Sequence, residues 1–209
     1  EPGAIDLAIA TAKKHNADLV IANDPDADRC AAAINDPHGG WRMLTGDELG
    51  IIFGEFIVRK LATEKKPGIF ANSIVSSSCL KKIAEHYGVE FHQTLTGFKW
   101  LAKIENLTFG YEEAIGYGID LSTANDKDGI SAALYLAHIA TELKREGKNL
   151  SSLLDEVWQR HGFHGTSQIS IRTPDISQVG ALLDALRAQP PVEIAGRRVI
   201  SIDDLAKPT

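Results

Sequence analysis

Asp24, Asp26 and Asp28 stand at alternate positions in Asp24-Pro25-Asp26-Ala27-Asp28-Arg29. Pro25 excludes an ordinary helix there, so an extended loop turns all three carboxylates to one side. Two carboxylates about 4 Å apart repel by roughly 4 kcal/mol at an effective dielectric near 20; a divalent cation that prefers hard oxygen ligands converts that repulsion into coordination. Mg²⁺ is the natural candidate. An EF-hand does not fit, because the loop position that needs glycine holds Arg29 and the twelfth position holds Asn35. The other reading is a solvated acidic turn in which Asp24 or Asp28 accepts backbone hydrogen bonds. Arg29 suits a phosphoryl group neutralised from two sides, and equally suits an ion pair with a neighbouring aspartate.

The elements that must position this loop follow from hydrophobic periodicity. Helical spacing over 5–12 is followed by a buried strand over 19–22 that runs straight into the acidic loop. Segments 30–34 and 41–44 read as strands joined at Pro37-His38-Gly39-Gly40. Thr45 or Asp47 can cap a helix whose apolar side holds Leu49, Ile52, Phe53, Phe56 and Leu61, ended by Pro67-Gly68. Strand 69–71 then leads through Ser76-Ser77-Ser78 to a helix closed by Gly88, and strand 89–95 leads through Thr96-Gly97 to a helix reaching residue 104. Residues 107–109 feed a loop over 110–128, followed by an amphipathic helix over 129–146 with Ile130, Leu134, Ala137, His138 and Leu143 as its apolar face. Ser151 caps a helix to residue 160; strand 168–171, helix 177–188 and strand 198–202 make an incomplete last unit. This alternation predicts an α/β fold of parallel sheets covered by helices.

Composition narrows the function. The 209 residues are 44% hydrophobic and 24% charged with a net charge of −6, which excludes disorder and collagen-like structure. No basic run is present to track a phosphate backbone, so no nucleic-acid partner is expected. The apolar stretches 31–34 and 49–58 fall far short of the ~20 residues a bilayer span needs, so no membrane partner is expected either. Cys30 and Cys79 lack C-x-x-C spacing, which suggests neither a disulfide framework nor structural zinc and fits a reducing cytoplasm. The seven histidines show no metal-ligand spacing, Ser76 to Ser78 lack a nucleophile elbow and read as helix capping, and Trp41, Trp100 and Trp158 read as packing. The chain opens on Glu1 with Met43 as its single methionine, and it reads as a piece of something longer.

Four motifs in order, Asp24-Pro25-Asp26-Ala27-Asp28-Arg29, Thr96-Gly97-Phe98-Lys99, Glu112-Glu113-Ala114-Ile115-Gly116 and Lys127-Asp128-Gly129, resemble the α-D-phosphohexomutase superfamily of phosphoglucomutases and phosphomannomutases. The resemblance covers nearly the whole chain. It implies phosphoglucomutase-like α/β domains with mixed, largely parallel sheets: 1–44 as the end of domain 2 with a metal-binding loop, 45–165 as domain 3 with a sugar-binding loop, and 166–209 as a hinge and the start of domain 4. It also implies Mg²⁺ held by Asp24, Asp26 and Asp28, with Arg29 in an electrostatic role. Glu112 matches the glutamate that holds sugar hydroxyls, with Thr96, Gly97, Glu113 and Lys127 as further contacts to a hexose 1- or 6-phosphate and its bisphosphate. Thr96-Gly97 is also plain N-cap chemistry, Glu113 equally suits a solvated position, and Asp128 reads as the N-cap of the helix that follows.

The implied activity is phosphoryl transfer within a sugar phosphate through a phosphoserine and a bisphosphate. Neither the family's phosphoserine loop nor its domain 4 phosphate loop occurs here, so the segment alone is expected to be inactive without domains 1 and 4. Ala114 and Tyr111 stand where many relatives have Ser and Gly, a form closer to phosphopentomutases and hexose-bisphosphate synthases. Outside the superfamily, a metal-dependent phosphatase with Asp24 or Asp26 as nucleophile and a non-catalytic module binding a divalent ion or phosphosugar are the alternatives.

Overall fold

The computed structural model describes residues 3–37, 39–168, 173–175 and 177–205. The chain divides into two compact units, Glu1–Thr166 and Ser167–Thr209.

The first unit opens with α1 (Asp6–His15) and three strands, β1 (Leu19–Asn23), β2 (Cys30–Asp36) and β3 (Gly40–Met43). Asn23 pairs with Cys30 and Leu19 with Ile34, so the acidic loop is the turn of an antiparallel hairpin. Thr45 caps α2 (Gly46–Glu64): its side chain accepts from the Glu48 amide while Glu48 accepts from the Thr45 amide. This reciprocal box leaves Asp47, the other candidate cap, free for a different task. Leu49, Ile52, Phe53 and Val58 of α2 are fully enclosed, each stabilising the fold by about 1.5–3 kcal/mol through burial. Glu55, buried among them, is compensated by Arg59 and Arg160 at 2.8 and 2.5 Å.

A second sheet follows, built from β4 (Ile69–Ser73), β5 (Glu90–Thr94), β6 (Phe109–Glu112) and β7 (Gly116–Gly118), with α3 (Cys79–Tyr87) and α4 (Phe98–Leu101) between its strands. Its order is β5-β4-β6-β7; β4 lies parallel to β5 and β6, and β7 returns antiparallel along β6. The α5 (Gly129–Arg145) and α6 (Leu150–His161) helices complete the unit. One core cluster joins Cys30 and Ala32 of β2, Phe53 of α2, Phe70 of β4, Phe109 of β6, Leu136 and Ile139 of α5, and Leu154 of α6.

The fold is α/β with mixed sheets. Among the described residues parallel order is confined to the second sheet, because strands joined by short turns, as β1, β2 and β3 are, run antiparallel. Several local expectations change. On α5, Ala132, Leu136, Ile139 and Leu143 are buried, whereas Ile130 and Leu134 are 66% and 74% exposed. Apolar residues surround much of this helix, so spacing did not single out the inward face. Asn149, not Ser151, caps α6 by exchanging hydrogen bonds with Ser152. The α4 helix stops at Leu101 rather than residue 104, and the expected loop 110–128 contains the β6–β7 hairpin. Ser78 precedes α3 without a capping hydrogen bond. Trp100 is partly exposed, with Lys99 and Lys103 over its ring, whereas Trp41 and Trp158 pack on core clusters.

The second unit holds α7 (Ser177–Ala188) and a two-residue hairpin, β8 (Glu193–Ile194) with β9 (Arg197–Arg198). Ala195 and Gly196 both take positive φ, the I′ turn that suits so tight a hairpin. The strand expected over 198–202 is thus reduced to its first residue and shifted one position earlier. The strand expected over 168–171 lies, after Gln168, outside the described residues, as does His38 of the first expected turn.

Candidate functional site

At the carboxyl end of β1, one carboxylate oxygen from each of Asp24, Asp26 and Asp28 lies within 4.8 Å of the others. At that spacing each pair repels by roughly 3 kcal/mol at an effective dielectric near 20. The loop keeps its shape through its own backbone: the Arg29 amide donates to Asp24 Oδ1 at 3.0 Å, the Ala27 amide to the Asp24 carbonyl at 3.0 Å, and Asn23 Nδ2 to the Arg29 carbonyl at 2.7 Å. Ala27 takes the left-handed conformation at φ +58°, a cost of about 1 kcal/mol for a residue with a Cβ.

Two cations offset the three carboxylates. Arg29 Nε lies 3.5 Å from both Asp24 and Asp28, and Lys127 Nζ lies 2.6 Å from Asp28 Oδ2. Desolvation pushes the Asp24 carboxyl up, but the hydrogen bond from the Arg29 amide, with the Arg29 charge, holds it below its ordinary value. Its hydrogen bond to Asp28 raises Lys127, with desolvation opposing and the charges of Asp126, Asp28 and Glu112 adding to the rise.

Asp28 Oδ1 is buried and accepts no hydrogen bond. A carboxylate oxygen so placed, beside two further carboxylates, fits a hard divalent ion that takes oxygen ligands. Asp24, Asp26 and Asp28 are the residues that would hold it.

Lys127 also links the acidic loop to the β6–β7 hairpin. A Cβ on Gly116 would lie 3.0 Å from Lys127 Cδ and 3.8 Å from Glu112 Oε2, so the two side chains flank this glycine. Glu112 Oε1 accepts the Gly97 amide at 2.6 Å. Thr96 is exposed, and no side chain caps α4. Glu113 is engaged elsewhere, its Oε2 accepting from Ser73 Oγ and Ser76 Oγ at 3.0 and 3.3 Å. The structure therefore groups Asp24, Asp26, Asp28, Arg29 and Lys127 by proximity and ion pairs and joins Glu112 to Gly97, with Lys127 and Glu112 on either side of Gly116, Thr96 next to Gly97 and Glu113 facing other partners.

The first residues of α5 hold the two hairpins together. Asp128 caps the helix through Ile130 and Ser131; desolvation pushes its carboxyl up, but those hydrogen bonds win and hold it low. The Asp128 amide donates to the Tyr117 carbonyl, and the Gly129 amide to the Ala27 carbonyl. A Cβ on Gly129 would overlap the Arg29 carbonyl, so only glycine permits this approach. Sequence reasoning missed Asn23 and Ser73, gave Gly129 no role of its own within its motif, and read Ser76 as helix capping. An amide side chain at a strand end and a glycine opening a helix beside an acidic loop were the available signals for Asn23 and Gly129; the serines gave none.

Asp47, in the first turn of α2 and 5% exposed, accepts from the Ser77 amide, Tyr111 Oη and Thr166 Oγ1 at 2.7, 2.8 and 2.6 Å. The cysteines are free and buried, and burial pushes Cys30 to about 11 and Cys79 to about 12, so neither is a thiolate at neutral pH. Among the described residues, no helix is long and apolar enough to cross a membrane.

Comparison with known proteins gives a consistent result. The family model described as phosphoglucomutase/phosphomannomutase, alpha/beta/alpha domain III, matches residues 45–161, and that for domain II matches 1–39. A probable phosphomannomutase of Haemophilus influenzae is 45% identical over 207 residues, covering 99% of this chain and 42% of that protein. A phosphoribomutase of Saccharomyces cerevisiae is 44% identical over 149 residues, 64% of this chain and 24% of its own length. The chain thus spans less than half the length of these curated relatives. The crystal structure of a putative phosphomannomutase from Thermus thermophilus shares the fold, with a TM-score of 0.65 at 22% identity over 78% of this chain and 36% of that one.

Proposed function

The chain belongs to the phosphoglucomutase/phosphomannomutase family, and from that premise we propose that it is the central part of a Mg²⁺-dependent phosphosugar mutase, an isomerase that moves a phosphoryl group within a sugar phosphate. Residues 1–44 are read as the end of the second domain and 45–165 as the third, in line with the family matches over 1–39 and 45–161; 166–209 are read as a hinge and the start of the fourth. The observation that carries the proposal is that Asp28, one of the three clustered aspartates, pairs with Lys127, and Lys127 and Glu112 flank the same glycine, Gly116.

In this reading a serine outside the 209 residues carries the phosphoryl group. The group passes to the free hydroxyl of the bound sugar phosphate, giving a bisphosphate; the phosphoryl group at the other end then returns to the serine. Bound by Asp24, Asp26 and Asp28, Mg²⁺ supplies charge neutralisation for the transferring phosphoryl oxygens. Arg29 and Lys127 add fixed positive charge beside that position. Glu112, its carboxylate held by the Gly97 amide, accepts hydrogen bonds from adjacent sugar hydroxyls. A cytoplasmic setting agrees with two free, buried cysteines.

A pentose phosphate is the second substrate reading, supported by the similarity to the yeast phosphoribomutase and by Ala114, which offers no hydroxyl to a sugar. Calorimetric titration of Mg²⁺ into this chain and its Asp26→Asn variant tests the metal site: the variant should bind at least about tenfold more weakly. Tight binding unchanged by the substitution would sink the assignment. Separate titrations with glucose 1,6-bisphosphate and ribose 1,5-bisphosphate rank the sugars, while release of inorganic phosphate from p-nitrophenyl phosphate by this chain would favour a phosphatase instead.

A further inference from the structure

Glu112 and Glu113 are neighbours with different partners. Glu112 Oε1 accepts the Gly97 amide, whereas Glu113 Oε2 accepts from Ser73 Oγ at 3.0 Å and Ser76 Oγ at 3.3 Å. The Glu113 amide also donates to Ser76 Oγ at 3.0 Å, so this one residue closes a ring of hydrogen bonds onto the turn between β4 and α3. Ser73 and Ser76 are 0% and 7% exposed, and their hydroxyls lie 2.8 Å from each other, so Glu113 Oε2 is the acceptor that lets both be satisfied inside the protein. Two further contacts fix the same turn of the hairpin. A Cβ on Gly46, the first residue of α2, would overlap the Glu113 carbonyl, and the Cys30 amide donates to the Ile115 carbonyl at 3.1 Å.

We propose that Glu113, with Ser73 and Ser76, is a positioning group. It anchors the β6–β7 turn so that the Glu112 carboxylate is already in place before a sugar arrives. This deepens the reading of Glu112 as the sugar ligand and rests on it. In this role Glu113 turns its Oε2 to the two serine hydroxyls and acts on the sugar only through Glu112. Holding Glu112 rigid lowers the entropy lost on binding, which is how a remote hydrogen-bond network raises affinity.

Backbone amide exchange by NMR and titration with glucose 1,6-bisphosphate in Mg²⁺, both on this chain, test the proposal. In Glu113→Ala, exchange at Gly97 and at residues 112–116 should quicken about tenfold and the bisphosphate should bind about tenfold more weakly, the scale of one lost charge-assisted hydrogen bond. Glu113→Gln, which keeps an acceptor for both hydroxyls, should stay within about threefold of the parent on both counts. Ser73→Ala should fall between the two. Amides in the middle of α2 report whether a variant still folds. Weaker binding in Glu113→Ala with Gly97 exchange unchanged would make Glu113 a sugar ligand and overturn the proposal; no change in either readout would overturn it as well. If Glu112→Ala leaves bisphosphate affinity unaltered, or the parent chain does not bind, the sugar-site reading fails by itself, and exchange at Gly97 and 112–116 still decides the role of Glu113.

Discussion

The turn between β1 and β2 gathers three carboxylates against two cations and leaves Asp28 Oδ1 without a hydrogen bond. The turn between β6 and β7 carries two glutamates, and each has its donors: Gly97 for Glu112, Ser73 and Ser76 for Glu113. Both turns contain a strained residue, Ala27 and Ile115, each at φ +58°. In each case the strained residue's own carbonyl is used at a junction, Ala27 accepting from Gly129 and Ile115 from Cys30. The backbone problem is the same and is solved the same way, while the side-chain electrostatics differ. The first turn holds an excess of negative charge that a cation would complete; in the second, each glutamate already has a protein donor on one oxygen.

That contrast is open to attack at several points. The largest effect should come from Mg²⁺ itself: at a hundred times its Kd it should stabilise the chain by about 2.7 kcal/mol in urea unfolding, and Asp26→Asn should erase most of this gain. Equal stabilisation of both proteins would place the ion elsewhere. Next, Gly129→Ala and Gly46→Ala each force a Cβ into a backbone carbonyl, of Arg29 and Glu113 respectively. Both should cost about 1–3 kcal/mol, but only Gly129→Ala should also weaken Mg²⁺ binding.

Asp128→Ala removes the cap of the helix that touches both turns and should cost about 1 kcal/mol at neutral pH. Because the Asp128 carboxyl is held below its ordinary 3.8, its contribution is present above that value and is lost as pH falls through the lowered one. Melting curves of variant and parent should therefore converge in acid. Lys127 has the opposite sign. Held above its ordinary 10.5, its contribution is present at neutral pH and is lost as pH rises through the raised value. Lys127→Met should abolish that alkaline loss and tighten Mg²⁺ binding severalfold, since Asp28 loses the ion pair with Lys127; a weaker Mg²⁺ affinity would show that Lys127 supports the ion rather than competing with it. The smallest change is Ala27→Gly, which should relieve about 0.5–1 kcal/mol of backbone strain without altering the carboxylates.

The acidic turn was legible in the sequence because its chemistry lies in adjacent residues: alternating aspartates, a proline that blocks helix, and a strand leading in. The α2 cap was legible for the same reason, although Thr45 and Asp47 both qualified until the structure assigned one to the helix end and the other to the interior. The anchoring of Glu113 was not legible. Its partners stand 40 and 37 residues earlier, in a serine run that reads as ordinary capping. The inward face of α5 was misread because local periodicity cannot choose between two apolar faces, a choice made here by packing against β1 and β2. Ser151 looked like a cap because serine suits that place, yet Asn149, two residues before it, has the reciprocal partner.

Asp47 carries a consequence for how the chain is made. Its three donors lie 30, 64 and 119 residues further along, at Ser77, Tyr111 and Thr166. During synthesis the α2 helix emerges well before them, with an acidic group destined for an apolar interior. Each donor that emerges satisfies part of that charge, and the last is the final residue of the first unit. Sealing Asp47 while a donor is missing carries a desolvation penalty. A nascent chain paused before Thr166 should remain open to proteases at α2, and become resistant once that residue clears the ribosome.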